Sequence, residues 1–174
     1  MKKYFLSTIT AAIVVFLVLV NGCTLSTANN TAKQTSTPST AVSHDAFLEK
    51  YVNQLHNVTQ RYSNLQAWDE NWLNSTTVSL VYTYENKISH TVFNEDMTIM
   101  HFNSTDDAIA YFNSLNMTGY KLFQNFYPSA GPYQVMTGHA PVPYKYYVNE
   151  TDAKHKSYRT LMEDIVAVGE STGF

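Results

Sequence analysis

The residues that can build a folded core are concentrated in one part of the chain. Residues 44–174 contain all 14 acidic residues, 12 of the 13 tyrosines and both tryptophans. A segment of this length can bury a single hydrophobic core without metal ions or disulfide bonds. Cys23 is the only cysteine, so a disulfide scaffold and thiol chemistry within this segment are excluded. We therefore expect a single globular domain over residues 44–174.

The charge balance and the motif content exclude several functional classes. The chain has 11 basic and 14 acidic residues and a net charge of −3, whereas proteins that neutralise nucleic-acid phosphates are basic. The sequence lacks the serine-hydrolase elbow, the zinc-protease helix motif, the phosphate loop and the dinucleotide-binding glycine motif. We expect no nucleic-acid partner, no cofactor and no metal ion, and a binding protein is favoured over an enzyme.

The amino terminus has the pattern of an export signal. Lys2 and Lys3 precede residues 4–20, which contain no charged residue, and the small residue Gly22 follows. A basic start, an apolar run and a small residue before a cleavage point are typical of a secretory signal peptide. We assign residues 1–22 to a signal peptide. Because an apolar run of this length is borderline for crossing a membrane, an uncleaved signal anchor is the alternative.

Cys23 lies immediately after this apolar run. The segment Val20-Asn21-Gly22-Cys23 resembles the lipobox of prokaryotic lipoproteins, in which the cysteine takes a thioether-linked lipid and becomes the first mature residue. Asn21 departs from the small or hydroxyl residue that is usual at its position. The resemblance covers only the N-terminus. It implies a membrane lipid attached at Cys23 and a location on the outer face of the cytoplasmic membrane or at the cell surface.

Residues 23–43 are predicted to be a flexible tether. Serine, threonine and asparagine dominate this segment, which contains no aromatic residue. Such a composition buries too little apolar area to offset the loss of chain entropy on folding. Twenty flexible residues span about 25 Å, so the tether holds the domain away from the membrane.

Asn-x-Ser/Thr sequences are a second indication that the chain works outside the cell. They predict N-glycosylation, which requires exposed asparagines. Together with the lipobox resemblance they fit an archaeal cell surface, and the alternative is that asparagine and threonine are simply abundant. The six positions are Asn29, Asn57, Asn74, Asn103, Asn116 and Asn149.

Apolar spacing predicts the first helix of the domain over residues 45–66. Apolar side chains recur there at intervals of three and four residues, and Ser43 is in a position to cap the helix. Trp68 and Trp72 are expected in a loop that follows. The predicted apolar face consists of Phe47, Tyr51, Leu55, Val58, Tyr62 and Leu65.

Alternating apolar residues predict a three-stranded antiparallel meander next. Residues 77–84 place Val78, Leu80, Tyr82 and Tyr84 on one face. The other two predicted strands cover residues 88–93 and 97–102. Polar residues at 85–87 and 94–96 are interpreted as the turns between them.

The second half of the domain is predicted to repeat this order of elements. Ser104 caps a helix, strands cover residues 120–126, 133–137 and 144–148, and a last helix covers residues 151–168. The order α-βββ-α-βββ-α indicates an α+β fold, with a mostly antiparallel sheet of about five or six strands packed by three helices.

The predicted hairpin would bring three candidate ligand-binding residues together. If Glu95-Asp96 is a two-residue turn, His90 faces His101 across the hairpin, and with a three-residue loop at residues 85–87 Tyr82 faces His90. Two histidines and a tyrosine can polarise a small ligand, but a zinc site needs a further ligand that the sequence does not supply. The alternative is that the rings fill the polar end of a packed face. A register slip of one residue would remove this pairing.

His139 is the fourth candidate ligand-binding residue. It lies in a segment, residues 138–143, that two prolines stiffen, which suits either recognition or an ordinary strand connection. Paired acids are not assigned catalytic roles. We interpret Glu95-Asp96 as a turn, Asp106-Asp107 as a helix N-terminus and Glu163-Asp164 as a solvated helix face.

The tyrosines of the C-terminal half suit a contact surface for ligands, or alternatively the edge of a core. We predict an extracytoplasmic, membrane-anchored, non-enzymatic binding module for a small solute, a glycan or an envelope partner. The alternatives are a small hydrolase using His139 or the His90/His101 pair, and a purely structural envelope component. A cleft holding a carboxylate-bound histidine would favour the hydrolase, and a cleft-free core with exposed tyrosines would favour binding.

Overall fold

A computed structural model describes residues 43–123, 131–152 and 154–173. The predicted signal peptide, Cys23, Asn29 and all but the last residue of the predicted tether lie outside the described residues. The described helices are α1 (Ala46–Tyr62), α2 (Thr105–Ser114) and α3 (Gly131–Thr137). The described strands are β1 (Ser63–Asn74), β2 (Thr77–Asn86), β3 (Val92–His101), β4 (Lys121–Leu122), β5 (Tyr144–Glu150), β6 (His155–Met162) and β7 (Ile165–Gly173).

The seven strands form one antiparallel sheet in the order β1-β2-β3-β7-β6-β5-β4. The larger core lies between this sheet and helices α1 and α3, and a smaller core lies between α2 and strands β6 and β7 on the opposite face. The prediction of an α+β fold with an antiparallel sheet is confirmed. The sheet has more strands than the five or six predicted, and the element order is α-βββ-α-β-α-βββ.

Helix α1 is shorter than predicted and is capped by a different residue. Asp45, not Ser43, is the N-cap, and its carboxylate accepts a hydrogen bond from the Leu48 backbone N at 2.7 Å. Ser63 ends the helix because its backbone is extended. Trp68 and Trp72 therefore lie in β1 rather than in a loop. The buried residues of the helix are Leu48, Tyr51, Val52, Leu55 and Thr59, so Val58 and Tyr62 do not belong to the buried face.

Strand β2 confirms the predicted alternation, but the strand after it differs from the prediction. Val78, Leu80, Tyr82 and Tyr84 are buried on one face. The predicted turn at residues 94–96 lies within β3, where Tyr82 is paired with Glu95. The polar residues at 94–96 suggested a turn, but polar side chains can also be paired within a sheet. Here the Thr83 hydroxyl donates a hydrogen bond to the Asn94 side chain across the two strands, at 2.7 Å.

The real turn between β2 and β3 replaces the strand predicted over residues 88–93. The Asn86 side chain accepts hydrogen bonds from the backbone N atoms of Ile88 and Ser89, at 2.8 and 3.0 Å. His90 has a positive φ of 53° within this turn. An asparagine side chain that binds the backbone in this way stabilises a turn without any glycine.

The last predicted helix, residues 151–168, is instead the hairpin of β6 and β7. Both strands are buried on both faces of the sheet. Tyr158 and Ile165 pack into the larger core, and Leu161 and Val166 pack into the smaller one. Apolar residues pointing to both faces break the two-residue alternation, and here they mimic the spacing of a helix. The Glu163-Asp164 pair is consequently a hairpin turn rather than a helix face.

The region before β5 also differs from the prediction. Residues 133–137, predicted as a strand, belong to α3, and the strand predicted over residues 120–126 is the short β4, with residues 124–126 outside the described chain. The strand predicted over residues 144–148 is confirmed as β5. The proposed tyrosine contact surface is largely core: Tyr133 is buried, and Tyr144 and Tyr146 pack against the larger core.

Candidate functional site

An open groove with a volume of about 610 Å³ lies where β3 ends and α2 begins. It forms because the chain leaves the sheet after His101 and turns at Ser104, whose side chain caps α2 by accepting from the Asp107 backbone N at 3.1 Å. The groove is lined by Thr76, Thr77, Met100, His101, Phe102, Asn103, Asp107 and Tyr111.

His101 is held between two carboxylates in the wall of this groove. Its Nδ1 atom lies 2.8 Å from Oδ1 of Asp45, and its Nε2 atom lies 3.4 Å from Oδ2 of Asp164. The His101 side chain is only 17% exposed. The ring of Phe47 stacks on it with a centroid separation of 5.0 Å. These contacts fix both the position and the rotation of the imidazole.

Three separate elements meet at this histidine. Asp45 precedes α1, His101 is the last residue of β3, and Asp164 lies in the β6–β7 turn. The turn is fastened to the groove because the Phe102 backbone N donates a hydrogen bond to the Asp164 carbonyl at 2.8 Å. The site therefore forms only when β3 pairs with β7 in the sheet and α1 packs against it.

The arrangement determines which chemistry His101 can perform. A general base needs a ring nitrogen that is free to take a proton from a substrate or nucleophile. Both nitrogens of His101 face carboxylate oxygens, and the ring can donate to both only when each nitrogen carries a hydrogen. In this arrangement each ring nitrogen has a carboxylate neighbour, and His101 shapes the wall of the groove.

The remaining lining combines hydrogen-bonding groups with aromatic rings. Asp107 accepts a hydrogen bond from the Ser104 hydroxyl at 2.7 Å. The rings of Phe102 and Tyr111 lie 5.2 Å apart at a tilt of 36°. Hydroxyl, amide and carboxylate groups beside aromatic faces can bind a ligand that carries several hydroxyl groups on a compact apolar frame.

The predicted trio of Tyr82, His90 and His101 is not assembled. His90 lies in the turn before β3 and makes an ion pair with Glu85 at 2.8 Å, whereas His101 ends the same strand. Ten residues of β3 separate the two histidines by about 30 Å at the usual rise of a strand. Tyr82 is fully buried opposite Glu95. The prediction was wrong because it placed a second turn at residues 94–96, which lie within β3, and a strand over residues 88–93, where most of the turn between β2 and β3 lies.

His139 lies close to an acid but is not part of the groove lining. Its Nδ1 atom is 3.6 Å from Oε1 of Glu163, and its side chain is more than half exposed. Glu163 also accepts hydrogen bonds from the Tyr133 hydroxyl at 2.6 Å and from the Val142 backbone N at 2.9 Å. Glu163 thus fastens α3 and the segment carrying His139 to the β6–β7 turn.

The predicted turn acids Glu95 and Asp96 are buried in β3 and point to opposite faces of the sheet. Burial raises the pKa of Glu95 well above its usual value, although the Ser171 hydroxyl donates to its carboxyl at 3.2 Å. Burial, and secondarily the Glu170 carboxylate, raise the pKa of Asp96 to about 6. By contrast, Asp106-Asp107 lies in the first turn of α2, as predicted.

Four of the five described sequon asparagines have the exposure that a glycan requires. Asn149 is the exception: it is half-buried in β5, and a methyl group on Gly119 would lie 3.1 Å from its Nδ2 atom. The side chains of Asn74 and Asn116 each accept a hydrogen bond from the backbone N of the threonine in their own sequon, at 2.9 and 3.0 Å. The exposed positions are Asn57, Asn74, Asn103 and Asn116.

Sequence reasoning missed the two carboxylates that hold His101. Asp45 is the first residue of the helix predicted over residues 45–66 and was given no role in a site, and Asp164 was placed on a solvated helix face. A cap position is visible in a sequence, but its contact with a histidine 56 residues away depends on the strand order. No local signal could have connected these residues.

Comparison of the chain with known protein families, curated proteins and solved structures finds no match. Within residues 43–123, 131–152 and 154–173, no three histidine, cysteine or acidic side chains are grouped so that they could hold a metal ion. Over the same described residues, no helix combines the length and apolar character needed to cross a membrane.

Proposed function

We propose that the folded domain is a non-enzymatic binding module and that the groove at His101 is its ligand site. The ligand class that the lining supports is a small polyhydroxylated solute or a terminal sugar of a glycan. The groove volume of about 610 Å³ falls within the range of small-molecule sites. In this proposal Cys23 carries the lipid anchor, so the groove faces the outside of the cell.

The geometry of His101 carries this proposal. The imidazole is hydrogen-bonded to Asp45 at 2.8 Å and has the Asp164 carboxylate 3.4 Å from its other nitrogen, so neither nitrogen is open to take a proton from a substrate. Because the wall is already ordered before binding, the loss of conformational entropy on ligand binding is smaller. Thr76 and Thr77 also line the groove, and threonine hydroxyls can donate to and accept from ligand hydroxyl groups. The Thr76 hydroxyl donates to Asn74 Oδ1 at 3.2 Å, which leaves its lone pairs to accept.

A hydrolase is the second candidate, and the two features expected to separate it from a binding module favour it: a carboxylate-bound histidine lies in a groove, and the described tyrosines of the C-terminal half are partly or fully buried. The groove contains a histidine bonded to a carboxylate through Nδ1, which is the orienting half of a catalytic triad. In such a triad Nε2 faces the nucleophile, whereas here it faces Asp164. Steady hydrolysis of a chromogenic ester or glycoside that is lost in His101→Gln would establish the hydrolase and overturn the binding proposal.

The binding proposal is tested with the full chain in detergent, made in a host that does not glycosylate Asn-x-Ser/Thr. Calorimetric titration with a panel of monosaccharides and polyols should detect at least one ligand. Asp107→Asn should weaken its binding by about tenfold, since Asp107 lines the groove and a charge-assisted hydrogen bond is worth about 1.5–3 kcal/mol. Asp106→Asn is the matched control because it removes the same charge from the same helix turn, outside the groove lining.

Two results would count against the proposal. Equal weakening by Asp106→Asn and Asp107→Asn would show that the net charge of α2, and not the groove, determines affinity. The absence of heat with every member of the panel, from protein that unfolds cooperatively, would also contradict it.

Anchoring requires a separate experiment. Cys23→Ser should release the protein from membranes and lower its mass by that of the lipid. Two buried acyl chains suffice for stable anchoring. Unchanged membrane association and unchanged mass in Cys23→Ser would contradict the lipid anchor without affecting the groove.

A further inference from the structure

Asn103 has a position that distinguishes it from the other sequon asparagines. It is the one among them that lines the groove, and it is exposed. Its side chain forms no hydrogen bond to any described residue, whereas the amide oxygens of Asn74 and Asn116 are bonded to their own turns. The Nδ2 atom that would carry a glycan is therefore free at the edge of the groove.

A glycan at Asn103 is compatible with the fold. Asn103 precedes Ser104, and the capping bonds of α2 use the Ser104 side chain and Asp107 rather than Asn103. Thr105, the third residue of the sequon, is the first residue of α2. Modification of Asn103 would consequently add an oligosaccharide beside the groove without breaking a hydrogen bond of the helix start.

The groove lining is suited to hold that oligosaccharide. The rings of Phe102 and Tyr111 form an aromatic wall, and the hydroxyls of Thr76 and Thr77 and the carboxylate of Asp107 are hydrogen-bonding groups on the same surface. Aromatic faces and hydroxyl-binding groups are the features by which proteins contact sugar rings. A covalently attached sugar also has a high effective concentration at a site it can reach.

We propose that Asn103 is a glycosylation site whose N-linked oligosaccharide lies in the groove and closes it to other ligands. The glycosylated domain then presents a filled groove, and the unmodified domain presents an open one. The claim that the glycan excludes a ligand rests on the proposed function. The claim that the glycan covers the groove does not.

The test measures access to the groove with a chemical reagent instead of a ligand. Full-length Thr77→Cys protein, made in a host that glycosylates Asn-x-Ser/Thr, is treated with a polyethylene-glycol maleimide, and modification is read from the peptide containing residue 77. The reaction should be about tenfold slower than in Thr77→Cys/Asn103→Gln, since the bulky glycan blocks approach. Thr77→Cys/Asn57→Gln is the control, because Asn57 lies on α1 and does not line the groove, and it should react slowly like the parent.

Two outcomes would overturn the proposal. The first is an unmodified Asn103 peptide in the mass spectrum of the parent protein. The second is a glycosylated Asn103 with equal reaction rates in the parent and in the Asn103→Gln variant. Met100→Cys reports on the same groove if Thr77→Cys does not fold. Absence of sugar binding by the unglycosylated Asn103→Gln protein, with slow labelling of the glycosylated parent intact, would contradict only the proposed function.

Discussion

The Nδ1 atom of His101 lies 2.8 Å from Oδ1 of Asp45, although the two residues are 56 positions apart in the chain. The same Asp45 oxygen accepts the hydrogen bond from the Leu48 backbone N that starts α1. One carboxylate oxygen thus joins the N-terminus of a helix to the last residue of a strand. This contact couples the docking of α1 to the shape of the groove.

Asp45→Ala should lower the free energy of unfolding by about 1–3 kcal/mol, because it removes an N-cap and the partner of a partly buried histidine. Asp45→Asn should cost less, since asparagine is an equally good N-cap. Urea denaturation measures both losses: the loss in Asp45→Asn reports the carboxylate contact with His101, and the additional loss in Asp45→Ala reports the N-cap. An Asp45→Asn variant as stable as the wild type would show that the contact between Asp45 and His101 contributes no stability.

Asp96→Asn should stabilise the protein at neutral pH. The pKa of Asp96 is about 6 in the folded state, against 3.8 for a free side chain. The folded state therefore binds the proton more tightly, and the free energy of unfolding falls as the pH rises from about 3.8 to about 6. Removing the carboxylate should remove this decline and raise the free energy of unfolding at pH 7 by at most about 3 kcal/mol, since each tenfold change in proton affinity corresponds to about 1.4 kcal/mol.

Urea unfolding across this pH range measures the effect, and Glu170→Gln is the control. Glu170 contributes to the raised pKa of Asp96 through its negative charge, so its neutralisation should reduce the decline only in part. A wild-type stability that rises between about pH 4 and about pH 6, by an amount that Asp96→Asn abolishes, would contradict the direction of this shift.

Glu95→Gln should be tolerated and should stabilise the protein at alkaline pH. Glu95 is fully buried, and burial raises its pKa well above the usual range. Its proton is held more tightly in the folded state, so stability is lost as the pH rises above the ordinary value of about 4.5 toward the folded pKa. Glutamine has nearly the same shape and stays neutral. Thermal unfolding at about pH 9 should give a higher midpoint for Glu95→Gln than for wild type; a lower midpoint would show that the carboxyl group itself is required.

Gly169→Ala should lower the free energy of unfolding by about 1–3 kcal/mol, as overpacking of a core usually does. A Cβ atom at this position would overlap the Tyr158 hydroxyl and would lie 2.7 Å from the Asp96 carbonyl oxygen. Tyr158→Phe removes a buried hydroxyl that has no hydrogen-bond partner among the described residues, so it should cost little by itself. The double variant should recover part of the loss. Additive effects in the double-variant cycle would contradict the predicted overlap.

Local sequence patterns predicted several elements correctly. The alternation of Val78, Leu80, Tyr82 and Tyr84 predicted β2, because one face of that strand is buried and the other is polar. Ser104 predicted the start of α2, because capping depends on residues that are neighbours in sequence. These features follow from interactions that span a few residues.

Strands with buried residues on both faces of the sheet were predicted wrongly. Strands β6 and β7 read as a helix because α1 covers one face and α2 covers the other, and this double burial hides the alternation. Glu95 and Asp96 read as a turn because acids are rarely buried in a strand. In each case the surroundings that decide the structure come from distant parts of the chain.

The sequence by itself determined the α+β class, the apolar face of β2 and the N-cap of α2. Only the tertiary structure decided that His101 lies between Asp45 and Asp164, that His90 lies at the far end of the same strand, and that Asn103 lines a groove. The physical reason is the range of the interactions. Propensity, capping and alternation act between close neighbours, whereas strand order and register bring together residues that no local pattern connects.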